Sequence, residues 1–162
     1  VRWQFRPPVE RTKHGFRINL DADERALVSR LVGEFRDLLV GPDDNPALAR
    51  IFPTAYHLPE HAAQDAEYQR LMREELVASR LAGIELIQEA LAAKGPLTEG
   101  QILALSQGLN GLRLVLGTVL DVSDDPDVDD EIDDDDPLAA ERQLYGFLSW
   151  LLEWTVRALS GA

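Results

Sequence analysis

Two histidines and a glutamate in His57-Leu-Pro-Glu-His61 stand in the H-x-x-E-H order of one class of zinc peptidase. That chemistry needs both imidazoles one turn apart on a continuous helix. Pro59 fits best at a helix start, which leaves His57 outside the helix and His61 in its first turn. A surface turn without metal is the expected reading. A second candidate is Ser123 to Pro137, which holds ten carboxylates. Asp125, Asp127 and Asp129 imitate positions one, three and five of an EF-hand loop. Position six is Asp130, where the sharp turn needs glycine, and position twelve is Asp136, one methylene shorter than the bidentate glutamate. The expected readings, in order, are a solvated tether, an electrostatic segment that meets a basic partner, and a specific calcium site.

Arg2, Arg6, Arg11, Lys13 and Arg17 stand against Glu10 alone and are interleaved with Trp3, Phe5 and Phe16. This basic arm has the composition that grips phosphate and stacks bases. It is equally the composition of a hairpin with one face in the core and arginines in water. Direct DNA binding is therefore an open but not the favoured reading. If the acidic run covers this arm, deleting residues 123 to 136 raises DNA affinity.

Ser106, Asn110, Arg113 and Gly117 form a narrow polar and small stripe beside a leucine seam. An arginine there needs an acceptor, and Glu67 or an aspartate near residue 121 could supply one. A buried network that fixes helix register is the plainer reading, and a ligand or partner pocket the sharper one. Phe147, Trp150 and Trp154 fall at i, i+3 and i+7, an aromatic edge that packs in the core or, if exposed, marks a homodimer or partner interface. No nucleophile, base and orienter set can be assembled, and no glycine-rich phosphate loop is present, so no enzyme and no cofactor are expected. Without cysteine, thiolate catalysis, Cys-bound zinc and disulfide sensing are excluded.

These residues need elements to position them. A chain of 162 residues, 45% hydrophobic, can bury one core, so residues 1–162 are expected to form a single domain. The formal charge of −13 is uneven: residues 121–136 hold 11 acids and no base. The remainder has 18 acids against 16 bases, about −2, which disfavours broad adhesion to DNA or anionic lipid. No apolar run approaches a membrane span, and a cytoplasmic location is expected. Alternation in Val1–Arg6 and His14–Leu20 predicts a short β-hairpin within residues 1–20. A helical body follows over 21–120. Asp21 with Glu24 caps a helix over about 22–40, and Asn45-Pro46 starts a short one. A long helix over about 60–93 places Tyr68, Met72, Leu76, Ile84, Ile87 and Leu91 mostly on one face. Thr98 with Gln101 caps the central helix, whose seam runs from Ile102 to Val119. After the acidic loop 121–136, Asp136-Pro137 starts a last helix over 137–160. The fold class is mainly α: a bundle of four to five helices with an N-terminal hairpin.

Arg50-Ile-Phe-Pro-Thr-Ala-Tyr56 with Asp65-Ala-Glu-Tyr-Gln-Arg70, the central Leu109 to Leu120, and Tyr145-Gly-Phe-Leu148 together resemble an actinobacterial family of unknown function. That family includes the oxidative-stress transcriptional regulator AosR. The family commonly shows an Asp after the Asn of the central motif and an Arg near its end, where this chain has Gly111 and Val119. The resemblance implies a non-enzymatic transcriptional regulator that contacts protein partners such as RNA polymerase or a sigma factor. Disulfide sensing does not carry over to a chain without thiols. Arg50, Tyr56, Glu67, Asn110 and Arg113 are the candidate polar network or partner site. The alternatives are an adaptor or scaffold outside transcription, linked to proteolysis, and a metal-responsive protein built on the acidic run.

Overall fold

A computed structural model of the chain describes residues 5–42, 45–52, 62–120 and 136–161. In order these form β1 (Val9–Thr12), β2 (Gly15–Ile18), α1 (Ala22–Val40), a 3-10 turn at Pro46–Leu48, α2 (Ala62–Ala92), α3 (Glu99–Leu120) and α4 (Ala139–Ser160). The architecture is mainly α with a short antiparallel hairpin at its N-terminal end, as the sequence pattern implies.

The hairpin sits later in the chain than the alternation suggests. β1 begins after Pro7-Pro8, in register Val9↔Ile18, Arg11↔Phe16 and Thr12↔Gly15. The two prolines have no N–H to donate, so strand pairing starts beyond them, while the Pro8 carbonyl still accepts from Asn19 N–H at 2.8 Å. A two-stranded hairpin is marginal by itself. This one is held by Leu97, which exchanges both backbone hydrogen bonds with Phe16 at 3.0 and 2.9 Å. The contact demands glycine at position 15: φ there is +144°, and a Cβ would come 2.4 Å from the Leu97 carbonyl oxygen.

The helices start where their caps are written. Asp21 accepts from Glu24 N–H at 2.8 Å and Glu24 returns the bond to Asp21 N–H at 3.1 Å, which sets the first turn of α1. Thr98 and Gln101 do the same for α3. α4 opens two residues later than Asp136-Pro137 suggests. Asp136 Oδ1 accepts from Leu138 N–H at 2.9 Å, so the aspartate organises a turn ahead of the helix. Gly161, at φ +75°, closes α4 with its N–H on the Arg157 carbonyl.

The core is a continuous layer shared by the hairpin and all four helices. Val9, Phe16, Val28, Phe35, Ile87, Ile102, Leu105, Leu109, Leu148 and Leu151 are all buried in it. α3 lies at its centre, packed on α1, α2, α4 and the 3-10 turn. Among the described residues α3 is the one helix long and apolar enough to cross a membrane by length and composition, with mean hydropathy 1.3. That corrects the expectation that no segment approaches a span. Scattered Gln, Ser, Asn and Arg interrupt every apolar run without lowering the mean far. Half of the stretch is buried inside the fold, as for a core helix.

Candidate functional site

The structure divides the polar stripe of α3 between two faces. Ser106 donates to the Leu103 carbonyl of its own helix at 2.7 Å. Arg113 turns toward α4, where Nη2 donates to the Tyr145 hydroxyl at 3.3 Å and the guanidinium carbon lies 5.3 Å from the centre of that ring. A Cβ at Gly117 would come 3.1 Å from Arg50 Nη1 and 3.6 Å from Tyr145 Cε2, so Arg50, Arg113 and Tyr145 crowd one stretch of α3. Glu67 is not the acceptor: it is exposed on the first half of α2, and Tyr145 takes that place. Arg113 Nε and Glu141 Oε2 are buried with no hydrogen-bond partner, and Glu141 stands one turn before Tyr145 on α4.

Asn110 faces the other way. It lines a cleft between α2 and α3 with Ser79, Arg80 and Gln107, above a floor that includes Phe35, Ile84 and Ile87. Burial pushes the Arg80 guanidinium below its ordinary value, and the group still carries its charge at neutral pH. Arg80 stands over Gly111, where a Cβ would come 2.9 Å from Nη1 and 3.0 Å from the Phe35 ring. The sequence reading passed over Arg80, because a lone arginine on a long charged helix carries no spacing signal.

The basic arm is partly consumed by the fold. Arg11 donates from Nε and Nη2 to the carbonyls of Ala158 and Leu159, capping the last turn of α4, and also lies over the Phe16 ring. Arg17 makes a 3.8 Å ion pair with Glu10. Arg6 and Lys13 are exposed, and Arg2 falls outside the described residues. Arg25, unremarked in the sequence, donates to the carbonyls of Leu20, Ile18 and Leu91, tying β2 and the end of α2 to α1.

The aromatic edge of α4 is also divided. Trp154 is half-buried, with Phe5 5.5 Å away between ring centres and Arg157 over its face. Phe147 is half-buried, and Trp150 beside it is exposed. Asp136 is held below the ordinary carboxylate range by the Leu138 N–H and then by Arg142, whose Nε donates to Oδ2 at 2.6 Å. His57, Glu60, His61, Tyr56 and the acidic residues 121–135 lie outside the described residues. Among the described residues no three His, Asp or Glu side chains group as metal ligands.

α2 behaves as two helices in one. From Ile84 onward its apolar side is in the core, and Ser29 and Gln88 exchange hydrogen bonds at 2.8 and 3.2 Å to stitch it to α1. Its first half was expected to continue the same buried face, yet Tyr68, Leu71, Met72 and Leu76 are exposed. These four stand at i, i+3, i+4 and i+8, so they share one side of the helix. Beside them a groove of about 970 Å³ opens between α2 and the end of α1, lined by Leu39, Val40, Phe52, Tyr68, Met72 and Leu81 among others. The Arg73 guanidinium lies 4.3 Å from the centre of the Phe52 ring across it.

One family model matches the chain, over residues 4–159, and its description is a domain of unknown function. No curated protein and no solved structure matches.

Proposed function

The chain belongs to the DUF2017 family, a domain of unknown function, and on that premise we propose that it is a non-enzymatic cytoplasmic regulator that holds protein partners of the transcription machinery. The observation that carries this reading is the first half of α2. Tyr68, Leu71, Met72 and Leu76 line one side of it, open to solvent, beside the groove against α1. An aromatic, a flexible thioether and two leucines at helical spacing are the residues that anchor protein–protein contacts. The resemblance to the actinobacterial family that includes AosR directs the partner toward RNA polymerase or a sigma factor.

The test is affinity capture from source-cell lysate at near-physiological salt, with Leu71→Asp as the control. Leu71 is 51% exposed, so its substitution changes the face and spares the core. RNA polymerase or a sigma factor is expected on the intact chain, with recovery reduced about tenfold or more by Leu71→Asp, the size of effect an interface anchor produces. Recovery of protease components in its place moves the reading to an adaptor outside transcription. Equal recovery by both chains removes this face from the function.

A further inference from the structure

We propose that the cleft between α2 and α3 is a binding site for a small organic monocarboxylate, with the carboxylate on Arg80 and an apolar body on Phe35 and Ile84. The argument begins with hydrogen-bond accounting. A guanidinium has five donors and is costly to desolvate unpaired. Arg11 and Arg25 meet it with backbone carbonyls and Arg17 with Glu10, while Arg30 and Arg36 of α1 are exposed to water. Arg80 departs from it, being half-buried with no hydrogen bond or ion pair to any described residue. The three other polar side chains of the cleft, Ser79, Gln107 and Asn110, likewise have none. Those three are exposed at the rim of the cleft, so Arg80 is the half-buried group there whose donors no described residue takes.

Shape and charge narrow the ligand. The cleft has a volume of about 260 Å³, below the ~300 Å³ at which drug-sized pockets begin, so the ligand is small. Its floor is apolar, with Phe35, Ile84 and Ile87 each 3% exposed or less. Gly111 keeps the space above Phe35 clear, since any side chain there would meet both the ring and the guanidinium. Among the described residues lining the cleft, Arg80 is the sole charged one. One guanidinium matches a monoanion, and its planar fork fits a carboxylate through two parallel bonds. A phosphate dianion would be left half neutralised in a protein that already carries −13.

The test is titration of the full chain with sodium benzoate and sodium 4-methylpentanoate, followed by calorimetry and thermal unfolding at constant ionic strength. Benzamide and inorganic phosphate serve as the neutral and dianionic comparisons. At least one of the two carboxylates is expected to bind saturably below about 10 mM, the range set by so small a ligand. It should also raise Tm. Benzamide and phosphate should be about tenfold weaker or worse, because the charge-assisted pair is lost or mismatched. Arg80→Gln should weaken the carboxylate by a similar factor. Asn110→Asp, an exposed change that brings a competing carboxylate to the mouth, should do so with the fold intact. Failure of both acids to saturate overturns the proposal. So does equal affinity for benzoate and benzamide, binding by phosphate alone, or unchanged affinity in both variants. None of these outcomes bears on capture through Leu71.

Discussion

Arginine does three different jobs in this protein, and its neighbours decide which. Arg11 and Arg25 meet carbonyls at the ends of α4 and α2, groups that a helix terminus leaves without partners. Arg113 shares itself between the hydroxyl and the face of Tyr145. Arg80 spends its donors on nothing in the described fold. Arg25 is the residue whose removal tests this division most sharply. Its three bonds join β2, the start of α1 and the end of α2, with distances of 2.6 to 3.1 Å. Arg25→Ala is expected to lower stability by about 2–3 kcal/mol, read as a shift of the urea midpoint with unchanged slope. A loss under about 0.5 kcal/mol, the range of ordinary surface changes, would show that water replaces those bonds freely. Nothing in the sequence singles Arg25 out. Its position in the first turns of a helix is common, and its partner at Leu91 is 66 residues away.

At the scale of elements, what the sequence makes legible is what neighbouring residues decide among themselves. The capping boxes of α1 and α3 and the leucine seam of α3 depend on residues three or four apart, and they stand where the pattern places them. Hairpin register depends instead on which backbone groups can pair, and Pro7-Pro8 displaced β1 to Val9. The unpacked half of α2 was illegible for a related reason. Tyr68, Met72 and Leu76 have the spacing of a core face, and only the path of the rest of the chain determines whether anything lies against them. Val119 shows the same failure at the end of α3, where it is exposed and Leu120 is buried. Glycine separates packing from propensity within these helices. A Cβ at Gly33 or Gly146 meets nothing within 4 Å, whereas one at Gly108 would sit 2.4 Å from Ile87 Cδ1, inside the core. Gly33→Ala and Gly146→Ala should each stabilise by about 0.5–1 kcal/mol. Gly108→Ala should cost about 1–3 kcal/mol through overpacking. Thermal unfolding of the three variants distinguishes the cases, and a stabilising Gly108→Ala would mean that the Ile87 side chain turns aside, or α2 and α3 separate, without loss.

For the whole molecule the question is electrostatic. Nine carboxylates between Asp124 and Asp135 supply most of the −13 charge, and the basic arm is the sequence feature they could mask. Among the described residues of the arm, Arg11 is committed to the α4 terminus and the exposed Arg17 pairs with Glu10 at 3.8 Å, while Arg6 and Lys13 are exposed. Binding to a duplex at physiological salt draws on many phosphate contacts, and each one contributes to the salt dependence. An arm partly committed to the fold, on a body near neutrality, offers few of them. Replacing the nine residues by Asn and Gln while keeping Asp136, which organises the turn before α4, takes the formal charge from −13 to −4. The expected outcome is no gain in affinity for duplex DNA at about 150 mM salt and a melting temperature close to that of the parent chain. A salt-dependent gain would instead mean that the arm reaches phosphate, and Arg11 joins it only by leaving the α4 carbonyls. Loss of the Arg11 bonds should then appear as fraying of the last turn of α4 in the DNA complex, measurable by amide hydrogen exchange at Ala158 to Gly161.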